Sequence, residues 1–183
     1  MICNKLKECF LIDKLETEPD VTVFKSFGMC FKSSSWLSVV LLRITQYLWK
    51  KRFVWRFAIY LKRLNEILTG FECHLEATVG KGLFLPHTQN VVVGAGVIIG
   101  DNVILYNGVT LGALKMGSGD EGKQRYPILG DNVTVYTGAK LIGPLTIGSN
   151  AIIGANSVVL KDVPSNAIAV GIPAKIILPK EMT

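Results

Sequence analysis

Histidine is scarce in this chain: His74 and His87 are the two it has, and 14 acidic residues stand against 20 basic ones in 183. Two histidines cannot supply the three of a carbonic-anhydrase-type zinc site, and the adjacent Cys73 and His74 form no site alone. No metal is expected. The four cysteines (Cys3, Cys9, Cys30 and Cys73) contain no CxxC pair and follow no signal peptide, so free thiols in a reducing cytoplasm are expected. No apolar run reaches the roughly 18 residues of a membrane span, and Arg43 interrupts the best one. The P-loop, a G-x-G-x-x-G after a strand, H-E-x-x-H and G-x-S-x-G are all missing. Aromatics do not interleave with the basic loop, and nucleic acid is not expected as a partner. Hydrophobic residues make up 49% and charged ones 19%, which suits a buried core and not a disordered chain.

What the chain does have is a six-residue period from Ala77 to Asp162. Val79, Leu85, Val93, Ile99, Leu105, Leu111, Leu129, Val135, Leu141, Ile147, Ile153 and Val159 follow at that spacing, with one skip of two residues and one long gap, and all twelve are aliphatic. Three residues after each lies a second column: Gly82, Thr88, Gly96, Asn102, Gly108, Leu114, Asn132, Gly138, Pro144, Asn150, Asn156 and Asp162. Nine of these twelve are Gly, Asn or Asp, the residues that most easily take left-handed or tight-turn conformations. Helices and two-sided strands have other periods. One inward aliphatic and one turn in every six residues describe a triangular coil of about 18 residues per circuit, whose stacked circuits share one core. The expected fold is mainly β, a parallel β-helix of hexapeptide repeats over residues 71–165. Residues 1–70 are its helical N-terminal region and 166–183 a C-terminal segment.

Residues 1–32 suggest a short helix from Lys5 to Leu15 and a turn at Glu18–Asp20. Ser33–Ser35 offer an N-cap for a helix to about Lys50. A second helix runs from about Arg52 to Leu68, with Phe53, Phe57, Leu61, Leu64 and Leu68 along one face and Gly70 as its stop. No acidic residue lies between Lys32 and Asn65, where Arg43, Lys50, Lys51, Arg52, Arg56, Lys62 and Arg63 cluster. Two expectations stand side by side: peripheral contact of residues 36–68 with an anionic membrane face, or a hairpin packed on the coil's end or on another subunit, with a solvated basic rim.

The breaks in the period carry the chemistry. Thr88 spoils the turn column and is followed by two extra residues, Gln89 and Asn90. Leu114 spoils it again and is followed by Lys115–Tyr126, expected to be a loop extruded at a corner, with Pro127–Leu129 rejoining the stack. On this register His87, Asn107, Thr137 and Ala155 form one vertical column of small and polar residues. At about 4.8 Å per circuit it is roughly 14 Å long, a groove for a thin, extended ligand. His87 at its foot is a candidate proton-transfer group, and Glu72, about one circuit below, is placed to orient it. His74 is the alternative base. Arg125 at the loop's end is a candidate for an anionic or hydroxyl-rich acceptor, or a solvated loop charge.

Glu72-Cys73-His74, Leu85-Pro86-His87, Val109-Thr110-Leu111-Gly112, Arg125-Tyr126-Pro127, Gly138-Ala139-Lys140 and Gly171-Ile172-Pro173-Ala174-Lys175 are similar to the serine acetyltransferase branch of the hexapeptide-repeat acyltransferases. The likeness covers Gly70 to about Leu178. It implies a left-handed coil, against the usual right-handed crossover, a homotrimer or a pair of them, and acetyl transfer from acetyl-CoA as co-substrate with no permanently bound cofactor. By the same resemblance His87 is the general base and Glu72, where the family has Asp, its orienting carboxylate. Gly112 and Ala113 lie near the thioester, Thr137 and Ala155 contact the pantetheine arm, and Lys175 lies near the nucleotide end.

On the acceptor side Pro86 replaces a family aspartate that helps hold serine, and Tyr126 replaces a histidine after Arg125. These departures, with the short basic N-terminal region, favour O-acetylation of a sugar in a surface polysaccharide or its precursor, at the cytoplasmic face of the membrane. Serine O-acetylation for cysteine synthesis is the alternative, and a non-enzymatic β-helix interaction module is a third.

Overall fold

The computed structural model describes residues 33–51, 53–114 and 125–178. The expected helix at 5–15, the turn at 18–20, Cys3, Cys9, Cys30 and loop residues 115–124 lie outside the described residues. Two helices, α1 (Ser34–Trp49) and α2 (Trp55–Thr69), precede short strands numbered in chain order. Sheet A stacks β1 (Phe71–Cys73), β3 (Val91–Val93), β6 (Thr110–Gly112), β9 (Lys140–Ile142) and β12 (Val158–Val159). Sheet B stacks β2 (Thr78–Val79), β4 (Ile98–Ile99), β7 (Ile128–Leu129) and β10 (Thr146–Ile147). Sheet C stacks β5 (Ile104–Leu105), β8 (Thr134–Val135), β11 (Ile152–Ile153), β13 (Ile168–Val170) and β14 (Lys175–Ile177). Pairing within each sheet is parallel until β14, which folds back antiparallel on β13. The chain visits A, B and C in turn, so each circuit is one coil of a parallel β-helix.

The aliphatic period is the interior of that helix. Cys73, Val93, Leu111, Leu141 and Val159 are in register along sheet A, Val79, Ile99, Leu129 and Ile147 along B, and Leu105, Val135, Ile153 and Ala169 along C. All but Val79, which is half-buried, are withdrawn from solvent. Two residues before each rung lies a second inward position that is often smaller: Ala77, Val97, Val103, Val133, Ala139 and Ala151 are all buried. A large and a small side chain per side fill a narrow triangular interior without voids.

The corners differ. Between sheets B and C, Gly82, Asn102, Asn132, Asn150 and Asn166 have φ from 56° to 67°; between C and A, Gly70, Asn90, Gly108, Gly138 and Asn156 have φ from 56° to 74°. Asparagine accepts this left-handed backbone at less cost than other side-chain-bearing residues. The B-to-C asparagines also ladder, Asn132 Nδ2 donating to Asn150 Oδ1 and Asn150 Nδ2 to Asn166 Oδ1, both at 3.1 Å. At the A-to-B corner the turn residue needs no positive φ at Gly96, Pro144 or Asp162.

Register locates the breaks. Phe71 pairs with Val91, a step of 20; Val92 with Thr110, the regular 18; Thr110 with Lys140, a step of 30. Ile128 pairs with both Ile98 and Thr146, so it belongs to sheet B, and the strands before and after the twelve extra residues pair as those of neighbouring coils. Ile152 pairs with Ile168, a step of 16, which makes the last coil two residues short.

The helices close the open end of the coil. Helix α1 follows Ser33, and α2 stops at Gly70, whose left-handed φ of 71° lets its N–H donate to Glu66 O at 2.9 Å. Arg43 donates to the carbonyls of Val79 and Gly80, and Gln46 to that of Ala77, satisfying an edge that no further coil covers. Helix α2 packs on α1 through buried Ser38, Ala58, Asn65 and Thr69, with Asn65 Nδ2 donating to Ser38 O at 3.0 Å. Of the expected placements, packing of the Phe53–Leu68 face on the coil's end is not what the structure has: Phe53, Phe57, Leu64 and Leu68 are exposed on the other side. Small residues allow the close approach that this hydrogen bond requires, and the larger ones are left outside.

Two outcomes check this account. Asn132→Ala should destabilise the fold by about 1–2 kcal/mol in urea titration, the cost of a left-handed residue that has a Cβ but not asparagine's locally bonding amide, and Asn132→Gly by less. Equal tolerance of both would contradict the corner argument. Burial pushes the Cys73 thiol up to about 12. Iodoacetamide at pH 8 should therefore leave the Cys73 peptide unlabelled until the protein is unfolded, as read by mass spectrometry.

Candidate active site

The corner between sheets C and A holds His87. Phe84 bridges to Ile104, and the Leu105 N–H donates to Phe84 O. Further on, Gly108 N–H donates to Gln89 O, as Gly138 N–H does to Asn107 O and Asn156 N–H to Thr137 O. The vertical column is therefore Gln89, Asn107, Thr137 and Ala155, and the two inserted residues are His87 and Thr88. This corrects the expected register, which set His87 in the column and made Gln89 and Asn90 the insert. The reason lies in Thr88, which turns inward, is fully buried and donates its hydroxyl to Thr69 O at 2.6 Å. A buried hydroxyl needs an acceptor, and satisfying it at the end of α2 leaves His87 turned out and exposed at the foot of the column.

Glu72 points outward from β1 at the same corner, one coil below, and is exposed. Asn90 N–H donates to Gly70 O at 3.0 Å, so the two coils are stitched together beside it. Among the described residues no hydrogen bond joins Glu72 to His87. Above them, Thr137 Oγ1 donates to Asn107 Oδ1 at 3.1 Å. Lys140 Nζ donates to Gly108 O at 2.6 Å and Thr110 Oγ1 at 2.9 Å. Lys140 thus pins this corner, a role that its place in the Gly138-Ala139-Lys140 motif does not reveal. Pro86 is half-buried and begins an outer stripe continued by Tyr106 and Tyr136, whose rings stack at 5.1 Å. At the far end Gly171 O accepts the Val158 N–H, and exposed Lys175 on β14 pairs with Val170.

The corner between sheets A and B holds the other expected residues. Gly112 ends β6, its carbonyl accepting the Gly143 N–H at 2.9 Å, and Ala113 leads into the loop. Arg125 and Tyr126 bring the chain back, both half-buried. The Tyr126 ring lies over Gly94 and Gly96: a Cβ at either would fall 2.6 Å or 2.5 Å from its ring carbons. Those glycines are there for room, not for a positive φ, and Tyr126 is the loop's anchor. His74 sits at this corner also, one coil lower, its Nδ1 accepting the Glu76 N–H at 3.3 Å with the Glu76 carboxylate 4.0 Å away. It is engaged away from the column. The structure therefore groups His87, Glu72, Pro86, Thr137, Ala155 and Lys175 on one corner, and Gly112, Ala113, Arg125 and Tyr126 on another.

The family description "Bacterial transferase hexapeptide (six repeats)" matches residues 126–161. A serine acetyltransferase from Synechococcus elongatus is 47% identical over 117 residues, covering 64% of this chain and 46% of the relative. The chain spans about half the length of the curated relatives it matches. A soybean serine acetyltransferase complexed with serine superposes with a TM-score of 0.78 at 32% identity, covering 95% of this chain and 70% of that one. A serine acetyltransferase in complex with CoA superposes at 0.75 and 29% identity, covering 94% and 68%.

These relatives overturn the polysaccharide reading and favour its serine alternative. The sugar reading rested largely on Pro86 and Tyr126. The packing of Tyr126 against Gly94 and Gly96 accounts for its aromatic ring without any acceptor, and Pro86 belongs to the stripe of Tyr106 and Tyr136. The expected fold class holds: the coil is a left-handed parallel β-helix with two helices before it. With 32% identity across more than two thirds of the soybean enzyme, the chain belongs to the hexapeptide-repeat serine acetyltransferase family.

Proposed function

We propose that this chain is a serine O-acetyltransferase that uses acetyl-CoA as co-substrate and works as a homotrimer with its sites between neighbouring chains. The observation that carries the reading is the insertion at the C-to-A corner. Burying Thr88 turns His87 out at the foot of a column of small and polar residues. Serine as acceptor is supported by the names of the relatives, and CoA by the solved complex with it. Trimerisation is supported by the division of residues. Gly112, Ala113 and Arg125 lie on a different corner from His87, so a site using both takes them from two chains packed corner to corner. Closed rotational symmetry repeats that contact three times.

His87, oriented by Glu72, takes the proton from the serine hydroxyl as the oxygen attacks the thioester carbonyl carbon. A backbone N–H at Gly112 or Ala113 of the neighbouring chain steadies the oxyanion. The new C–O bond forms, the C–S bond breaks, and His87 returns its proton to the CoA sulfur. Thr137 and Ala155 line the pantetheine arm and Lys175 meets the nucleotide end. Arg125 pairs with the serine carboxylate. Pro86 and Tyr126 contribute shape on this side, with no charge for the ammonium group.

His87→Ala should lower kcat by roughly 10²–10⁴ while CoA binding, measured by calorimetry, stays near wild type. Retention of turnover would reject His87 as the base. Arg125→Ala should raise KM for serine far more than KM for acetyl-CoA. Refolding the two variants together should recover roughly a quarter of wild-type activity, because each site then draws a good His87 and a good Arg125 from different chains about half the time each. No recovery would mean that the site lies within one chain.

A further inference from the structure

We propose that the outer face of α2, with the basic turn that precedes it, docks this protein on an anionic lipid surface. Phe57, Tyr60, Leu64, Ile67 and Leu68 recur at helical spacing opposite the buried Ala58, Asn65 and Thr69, and all five are exposed, Ile67 to 71%. Phe53 in the turn is 95% exposed and Trp55 opens the helix. No described residue packs on this stripe. A second, solvent-facing apolar stripe on a helix already packed through its other side marks an interaction surface.

Charge selects the partner. Residues 33–69 hold seven basic side chains, Arg43, Lys50, Lys51, Arg52, Arg56, Lys62 and Arg63, and one acidic one, Glu66. That is 7 − 1 = +6, and the whole chain is 20 − 14 = +6, so the remaining 13 basic and 13 acidic residues cancel. The entire net charge of the chain sits on the helical hairpin. Glu66 is the one offset, already counted in that sum: partial burial raises its carboxyl, but Lys62 and Arg63 bond to it and hold it below the usual carboxylate range. Arg56 flanks the Trp55 ring at 6.0 Å and Lys51 lies over the Tyr47 ring at 5.2 Å, cations beside the aromatics of this end of the hairpin. An apolar stripe bordered by Lys and Arg is the composition of helices that lie in a lipid interface.

A second copy of this chain fits the stripe poorly, because it would press one +6 surface against another. Spanning is excluded for the described helices, none of which is long and apolar enough to cross a membrane. The contact is peripheral, and Thr69 at the end of α2, which accepts the Thr88 hydroxyl, sets the His87 rim of the coil close to it. The inference is independent of which acceptor the site uses.

The full chain should co-sediment with vesicles of phosphatidylcholine mixed with phosphatidylglycerol, not with phosphatidylcholine alone, and should be released by salt. Lys50→Gln with Arg56→Gln should weaken partitioning roughly thirtyfold, at the usual worth of a basic residue near such a surface. Tyr60→Ser with Ile67→Ser, both at exposed positions, should abolish it with the melting curve unchanged. Equal binding to both vesicle types, or to neither, would overturn the proposal. So would a lipid-free loss of oligomeric mass in the Tyr60/Ile67 variant, which would show that the stripe is covered by another copy.

Discussion

Two of every three corners in this molecule require a backbone with positive φ, and much of the structure follows from meeting that requirement. Asparagine or glycine stands at each such corner, so every circuit closes in the same way and the aliphatic rungs fall into register. Once in register, they bury one another from coil to coil with hardly a charged atom inside. At the third corner Gly96, Pro144 and Asp162 have no positive φ, and among the described residues there Gly143 alone does, at 104°. It is at that corner that twelve residues are added between neighbouring coils, and the rungs on either side stay in register.

The insertion of His87 and Thr88 is more constrained, since it falls at a corner that does need positive φ. Asn90 keeps that conformation on the far side of the insert, and its N–H still finds Gly70 O. Thr88 then has to be satisfied in a dry interior, and the end of α2 satisfies it. The exposed imidazole is a consequence of both conditions. A helical hairpin that looks like a mere end-cap thus helps to position the chemistry. The hairpin's small, polar packing seam has a further consequence: it leaves the large side chains of α2 facing outward.

How far the sequence spoke can be judged residue by residue. The period, the turn residues and the positions of both breaks were legible because each depends on local side-chain volume or backbone preference, which recur at fixed spacing. That Lys115–Tyr126 adds no rung to the stack was legible for the same reason, since Gly117 and Lys123 cannot serve as rungs. The exact residues of the insert were not, because the choice between His87–Thr88 and Gln89–Asn90 turns on one buried hydroxyl finding a carbonyl nineteen positions earlier. What the apolar face of α2 meets is not legible either, because Asn65 and Ser38 set the approach of α2 to α1 and not the large apolar residues. The packing of Tyr126 is not legible, because its partners, Gly94 and Gly96, lie in another coil. Nor is the acceptor: a sugar reading drawn from Pro86 and Tyr126 gives way to serine on the names of the relatives.

The central claim is that the hydroxyl accepted at the His87 corner is that of serine. Release of free thiol from acetyl-CoA, followed with serine and separately with a panel of sugars and glycans, tests it most directly. Serine should sustain steady thiol release and the sugars should stay at the rate of spontaneous hydrolysis. Turnover with a sugar and none with serine would contradict the account.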